Sequence, residues 1–88
     1  SDVYAVGATV YYILTGKSPA NALERSIDLL DGKEDPLVSP NKLNPQVPRN
    51  FSSFLTKALE LKRENRYETV AAMRFALQPM LDLMRKIE

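Results

Sequence analysis

The chain has 88 residues, with 12 Lys and Arg against 11 Asp and Glu, so its net charge is +1. A chain of this length is one domain at most, and the near-balance of charge, spread from Lys17 to Lys86, argues against a nucleic-acid interface. It has no cysteine and no histidine, which removes disulfides, thiolate metal sites and the commonest general base.

The first predicted element is an almost wholly apolar helix. It opens at Ser1-Asp2-Val3-Tyr4-Ala5-Val6-Gly7, runs through Val10, Tyr11, Ile13 and Leu14, and ends at Thr15-Gly16, with Pro19 just beyond. Ser1 or Asp2 is its expected cap. A helix apolar on all sides is expected to be buried, as a central pillar. A pillar placed at residue 1 leads us to expect that the chain is a piece of a longer protein. The apolar run of about twelve residues is well short of the ~20 that cross a bilayer. It is not preceded by a basic stretch or followed by a small-residue cleavage site. A soluble, cytoplasmic chain is expected, although a parent protein could be anchored elsewhere. Tyr11 and Tyr12, on an apolar helix, read as core or interface rather than as a stacking platform for a ligand.

A second helix fits Ala20 to Leu30, where Leu23, Ile27 and Leu30 are spaced 4 and 3 apart, and Asp31-Gly32 ends it. Glu24 and Asp28 lie four apart on it, and Asp31, Glu34 and Asp35 cluster behind it. They could suggest a metal or acid/base site, but no histidine or glycine-bearing calcium loop accompanies them, and solvated helix ends account for them. From Lys33 to Arg49 the prolines 36, 40, 45 and 48 exclude a regular helix and predict an ordered surface loop.

Asn50 reads as the cap of a third helix. Its apolar positions Phe51, Phe54, Leu55, Ala58 and Leu59 follow i, i+3, i+4, i+7, i+8, one buried stripe. A polar turn follows at Lys62-Arg63-Glu64-Asn65. Thr69 caps the last helix, with Val70, Met73 and Leu77 inward. Pro79 predicts a kink, or a break into a second short helix, and Met80, Leu81, Met84 and Ile87 continue the apolar stripe. A methionine row at Met73, Met80 and Met84 would suit an adaptable contact, although ordinary core packing is the better account of it. The expected fold is all-α, about four helices with a proline-rich loop.

Ser1-Asp2-Val3-Tyr4-Ala5-Val6-Gly7 followed by Leu14-Thr15-Gly16-Lys17-Ser18-Pro19 resembles the S-D-x-Y-x-x-G…L-T-G-x-x-P stretch of protein serine/threonine kinases. Ala58-Leu59-Glu60-Leu61, Glu64-Asn65-Arg66-Tyr67, then Ala72-Met73-Arg74 and Leu77, is similar to the end of bacterial kinase domains of eukaryotic type. The resemblance covers residues 1–77, leaving 78–88 as a helical extension. Ala20 stands where the family often has Phe, and Arg63 where it usually has Pro; both positions are peripheral.

The resemblance implies that the whole chain, 1–88, is the C-terminal part of a kinase domain. It implies that Asp2 supports the catalytic loop by accepting backbone hydrogen bonds, and that Arg66 pairs with the glutamate ending the activation segment. Taken alone, Asp2 is an ordinary first-turn acid and Arg66 a solvated residue of a polar turn. The glycine-rich loop, strand lysine, His-Arg-Asp loop and Asp-Phe-Gly magnesium ligand are not in this sequence. The chain is therefore expected to be catalytically incompetent, with no catalytic, cofactor or metal residue of its own. ATP and Mg would belong to the parent, whether active kinase or pseudokinase scaffold. Expected partners are the remainder of the kinase domain, protein substrates docking through residues 20–31, and a second copy through apolar surface that the remainder would otherwise cover.

Overall fold

The computed structural model of the chain describes residues 2–87, and of Ile87 the backbone only. Among these residues there are five α-helices and no strand: α1 Asp2–Thr15, α2 Ala22–Leu30, α3 Pro40–Leu43, α4 Arg49–Ala58 and α5 Val70–Ile87. A 3-10 turn, Arg63–Asn65, lies between α4 and α5. Ser1, a proposed cap of α1, lies outside the described residues.

The core is where α1, α4 and α5 meet. Val3, Phe54, Leu55, Ala58 and Met73 are buried together, with Val10, Leu14, Phe51, Tyr67, Val70, Ala76, Leu77 and Met80 packed against them. The apolar stripe of α4 therefore faces inward as its periodicity predicts, and Leu55, Ala58 and Leu59 are wholly enclosed. Burying one such leucine is worth about 2 kcal/mol. The α1–α4 crossing is close because residue 7 has no side chain. A Cβ there would stand 2.9 Å from the Ala58 Cβ, so the two helices approach through a glycine–alanine contact.

Helix α1 is less enclosed than an all-apolar helix leads one to expect. Val3, Gly7 and Tyr11 form its one buried stripe, while Val6, Tyr12 and Ile13 are exposed. It ends as predicted, with Gly16 at φ 74°, a conformation open to glycine at little cost. Thr69 also behaves as predicted: its Oγ1 accepts a 2.9 Å hydrogen bond from the Ala72 amide at the start of α5.

Four details differ from the sequence reading. The proline-rich segment contains one helical turn, α3, because proline at the first helical position has no amide to lose. Helix α4 begins at Arg49 with Pro48 as its N-terminal flanking residue, and Asn50, the expected cap, sits inside the first turn. Pro79 does not break α5, which runs helically through it. The fourth is the start of α2, at Ala22 rather than Ala20. Asn21 caps it, its Oδ1 accepting from the Leu23 amide at 2.8 Å, and Leu23, Ile27 and Leu30 point outward. The buried residue of α2 is Arg25, 3 % exposed.

The proline-rich segment is tied down by side chains. The Tyr11 hydroxyl donates to the Val38 carbonyl at 2.7 Å, and Asn44 Nδ2 donates to the Leu14 carbonyl at 2.9 Å. Burial raises the Tyr11 pKa, with nearby Arg25 opposing that, so the hydroxyl stays a donor. Buried Ser52 donates to Asn41 at 3.0 Å, satisfying the polar contact between α3 and α4.

Candidate functional site

Helix α4 ends at Ala58, and the carbonyls that follow it have no helical amide to accept from. Three in succession are taken by two arginines. Arg25 Nη1 donates to Leu59 O at 2.7 Å. Arg66 Nε donates to Glu60 O at 2.6 Å, and its Nη2 to Leu61 O at 3.1 Å. Cations at the C-terminal end of a helix also meet the negative end of its dipole.

Tyr4, on the first turn of α1, joins the two arginines. Its ring lies under the Arg66 guanidinium, 5.2 Å from ring centre to Cζ, and its hydroxyl accepts from Arg25 Nη1 at 3.4 Å. Arg25 is neutralised by Asp35 in a two-pronged pair, Nε to Oδ1 at 2.9 Å and Nη2 to Oδ2 at 2.8 Å. Asp35 Oδ1 also accepts from the Leu37 amide at 3.0 Å, shaping the start of the loop.

The electrostatics follow from this geometry. The hydrogen bond from Arg25 holds the Asp35 carboxyl below the usual carboxylate range; partial burial opposes that, and the Leu37 amide adds to it. For Arg25, burial pulls the pKa down, but the hydrogen bonds to Asp35 and Tyr4 more than compensate, so it stays charged. Arg66 differs. It is half-buried, fixed by two carbonyls and a ring, and among the described residues it has no carboxylate partner. The site thus carries two guanidiniums and one carboxylate, with the uncompensated charge on Arg66.

Of the two residues singled out in the sequence, Arg66 lies at this centre and Asp2 does not. Asp2 is exposed on the first turn of α1, beside an open depression lined by Ala5, Val6, Thr9, Val10 and Val70. Among the described residues no hydrogen bond or ion pair joins it to either arginine. Sequence reasoning missed Arg25, Tyr4 and Asp35. A signal was present: between Ala20 and Gly32 Arg25 is the one cation among three acids. Of the acidic cluster considered for metal binding, Asp35 is committed to Arg25. Among the described residues no group of three or more His, Cys, Asp or Glu is placed to hold a metal ion. The three glycines do not fit a phosphate cradle, since Gly7 packs on Ala58 while Gly16 and Gly32 are separate turn residues with positive φ. No helix among the described residues is long and apolar enough to cross a membrane.

No family model matches the chain. It is, however, similar to curated protein kinases along most of its length. Serine/threonine-protein kinase Pkn1 of Myxococcus xanthus is 35% identical over 81 residues, which is 92% of this chain and 12% of the relative. Serine/threonine-protein kinase PknB of Mycobacterium leprae is 36% identical over 75 residues, 84% of this chain and 12% of that protein. Tyrosine-protein kinase MasK of Myxococcus xanthus is 34% identical over 84 residues, 92% of this chain and 12% of that protein. The chain therefore spans about an eighth of the length of these relatives and is homologous to a segment of them.

Proposed function

From this homology to a segment of protein kinases, we infer that the chain is the closing part of the large lobe of a bacterial-type kinase domain. The parent transfers the γ-phosphate of ATP, with Mg, to Ser or Thr hydroxyls of proteins in signalling. It acts in the cytoplasm. This chain contributes no catalytic, nucleotide or metal group; it supplies the frame on which the catalytic segments rest.

One observation carries the reading. Arg66 is a preset guanidinium, held by Glu60 O, Leu61 O and the Tyr4 ring, with no carboxylate among the described residues to neutralise it. Such a group suits a carboxylate arriving from outside the chain, in the manner the resemblance implies for the glutamate that ends the activation segment. Asp2, exposed at the positive end of α1, is in turn available to accept amide donors of a loop laid across that end. Exposed Val6 and Ile13 on the same helix fit a surface that the rest of the domain covers. Without that cover the isolated chain is expected to self-associate. The outward row of α2 serves as a docking face for protein substrates.

The test is made in the full-length parent. Replacing Arg66 by Met should cut phosphotransfer at least ~10-fold, and Arg66→Lys should restore little, because a point charge cannot make the two-pronged contact. The upstream sequence should encode His-Arg-Asp, Asp-Phe-Gly and a strand lysine. A degraded set would make the parent a scaffold of the pseudokinase kind, and an absent set would end the kinase reading. The isolated chain should bind no MgATP by calorimetry.

A further inference from the structure

The outer surface of α2 has two rows at helical spacing. Leu23, Ile27 and Leu30 form the first at i, i+4 and i+7, and they are 69 %, 47 % and 87 % exposed. Glu24, Asp28 and Asp31 form the second at the same spacing along its flank. Arg25, the one cation of the helix, is on the opposite side and is spent on Asp35, Leu59 O and Tyr4. The nearest other basic residue along the chain is Lys33, beyond the Gly32 turn. Burying Arg25 thus does two things to the outer face. It turns the leucines outward and leaves the acids beside them without a basic neighbour on the helix.

We propose that α2 docks an amphipathic helix of a partner protein that carries a Lys/Arg row beside its own apolar row. The inference rests on the reading of α2 as a docking face and gives that partner its chemistry. The row runs along one face of α2, a straight apolar ridge on which the apolar row of a second helix can lie. Charge selects among helices. Two copies of α2 packed antiparallel would bring their acidic rows together, and like charges across a contact disfavour it. A partner with an acidic flank meets the same repulsion. A basic flank answers Glu24, Asp28 and Asp31 and steers the encounter.

The 88-residue chain is titrated with two labelled synthetic helices that share one apolar row, one flanked by lysines and the other by glutamates, with fluorescence anisotropy as the readout. The lysine helix should bind at least ~10-fold more tightly, and the gap should narrow between ~0.05 and ~0.5 M salt as screening shortens the reach of the charges. The triple variant Glu24→Gln/Asp28→Asn/Asp31→Asn should close the gap, and Leu23→Ser/Leu30→Ser should abolish binding of either helix. Circular dichroism checks that each variant stays folded. Equal binding of both helices through Leu23 and Leu30 would overturn the charge inference while leaving α2 a docking face. Binding indifferent to Leu23 and Leu30 would overturn both. Self-association by sedimentation that vanishes in Leu23→Ser/Leu30→Ser would make the occupant a second copy and also overturn the proposal.

Discussion

Helices α4 and α2 have the same kind of sequence and opposite orientations. Both carry an apolar row at helical spacing, yet α4 turns its row into the core and α2 turns its row to solvent. Helix α4 lies between α1 and α5, so the Phe54 and Leu55 it buries meet apolar neighbours from both. Among the described residues helix α2 has no such pair of neighbours, and what it buries is an arginine with a partner ten residues away. Where packing partners exist, periodicity decides the direction of a helix; where they do not, one well-satisfied ion pair is enough to decide it.

The strongest way to break this contrast is inside α4. Leu55→Ala removes a fully enclosed side chain and should cost about 3–4 kcal/mol in urea unfolding, with every helix lost together. A loss under ~1 kcal/mol would mean that α4 is not the centre of the core.

Next comes the ion pair. Asp35→Ala leaves a charged guanidinium buried, and since Asp35 itself keeps about a third of its exposure, the cost should be about 2–3 kcal/mol, below that of a fully enclosed pair. Amide exchange should quicken over residues 22–38 while α4 stays protected; equal loss in both would erase the distinction between the two regions. The same pair gives a pH dependence. Asp35 has a folded pKa below its unfolded value, so its stabilisation is full above the unfolded carboxylate range, about pH 4. It is lost as pH falls through the lower folded value. Thermal melts between about pH 5 and pH 2 should show this loss in the wild type and not in Asp35→Ala.

A smaller effect sharpens the picture of the core. Gly7→Ala drives a methyl against Ala58, and the backbone shift should cost about 1–2 kcal/mol. The paired change Gly7→Ala/Ala58→Gly should recover part of it in the same melts. The smallest effect is on the outer face of α2, where Leu23→Ser/Leu30→Ser should change stability by no more than about 0.5 kcal/mol. A larger loss would show that the row is structurally engaged.

Much of the frame was legible because it is local. Gly16 ending α1, Thr69 capping α5 and the stripe from Phe51 to Leu59 depend on neighbours within two turns. What escaped depends on distance along the chain. Periodicity shows that Leu23, Ile27 and Leu30 share a face, but not that the opposite face holds Arg25 against Asp35 in a loop and Leu59 beyond α4. For the same reason Arg66 was found by resemblance alone, since its anchors include Tyr4 on another helix. The turn of α3 and the early start of α4 were missed because proline excludes a helix interior but favours a helix beginning.

Pro79 brings no amide to the Phe75 carbonyl, so α5 crosses that point one rung short. Phe75 is 83 % exposed, so its side chain adds little packing to brace that point. Pulled from its C-terminus, as in an optical trap, α5 should therefore part at this rung first. The two turns beyond it would peel away while Met73 and Leu77 still grip the core, so the helix would yield in two steps rather than one.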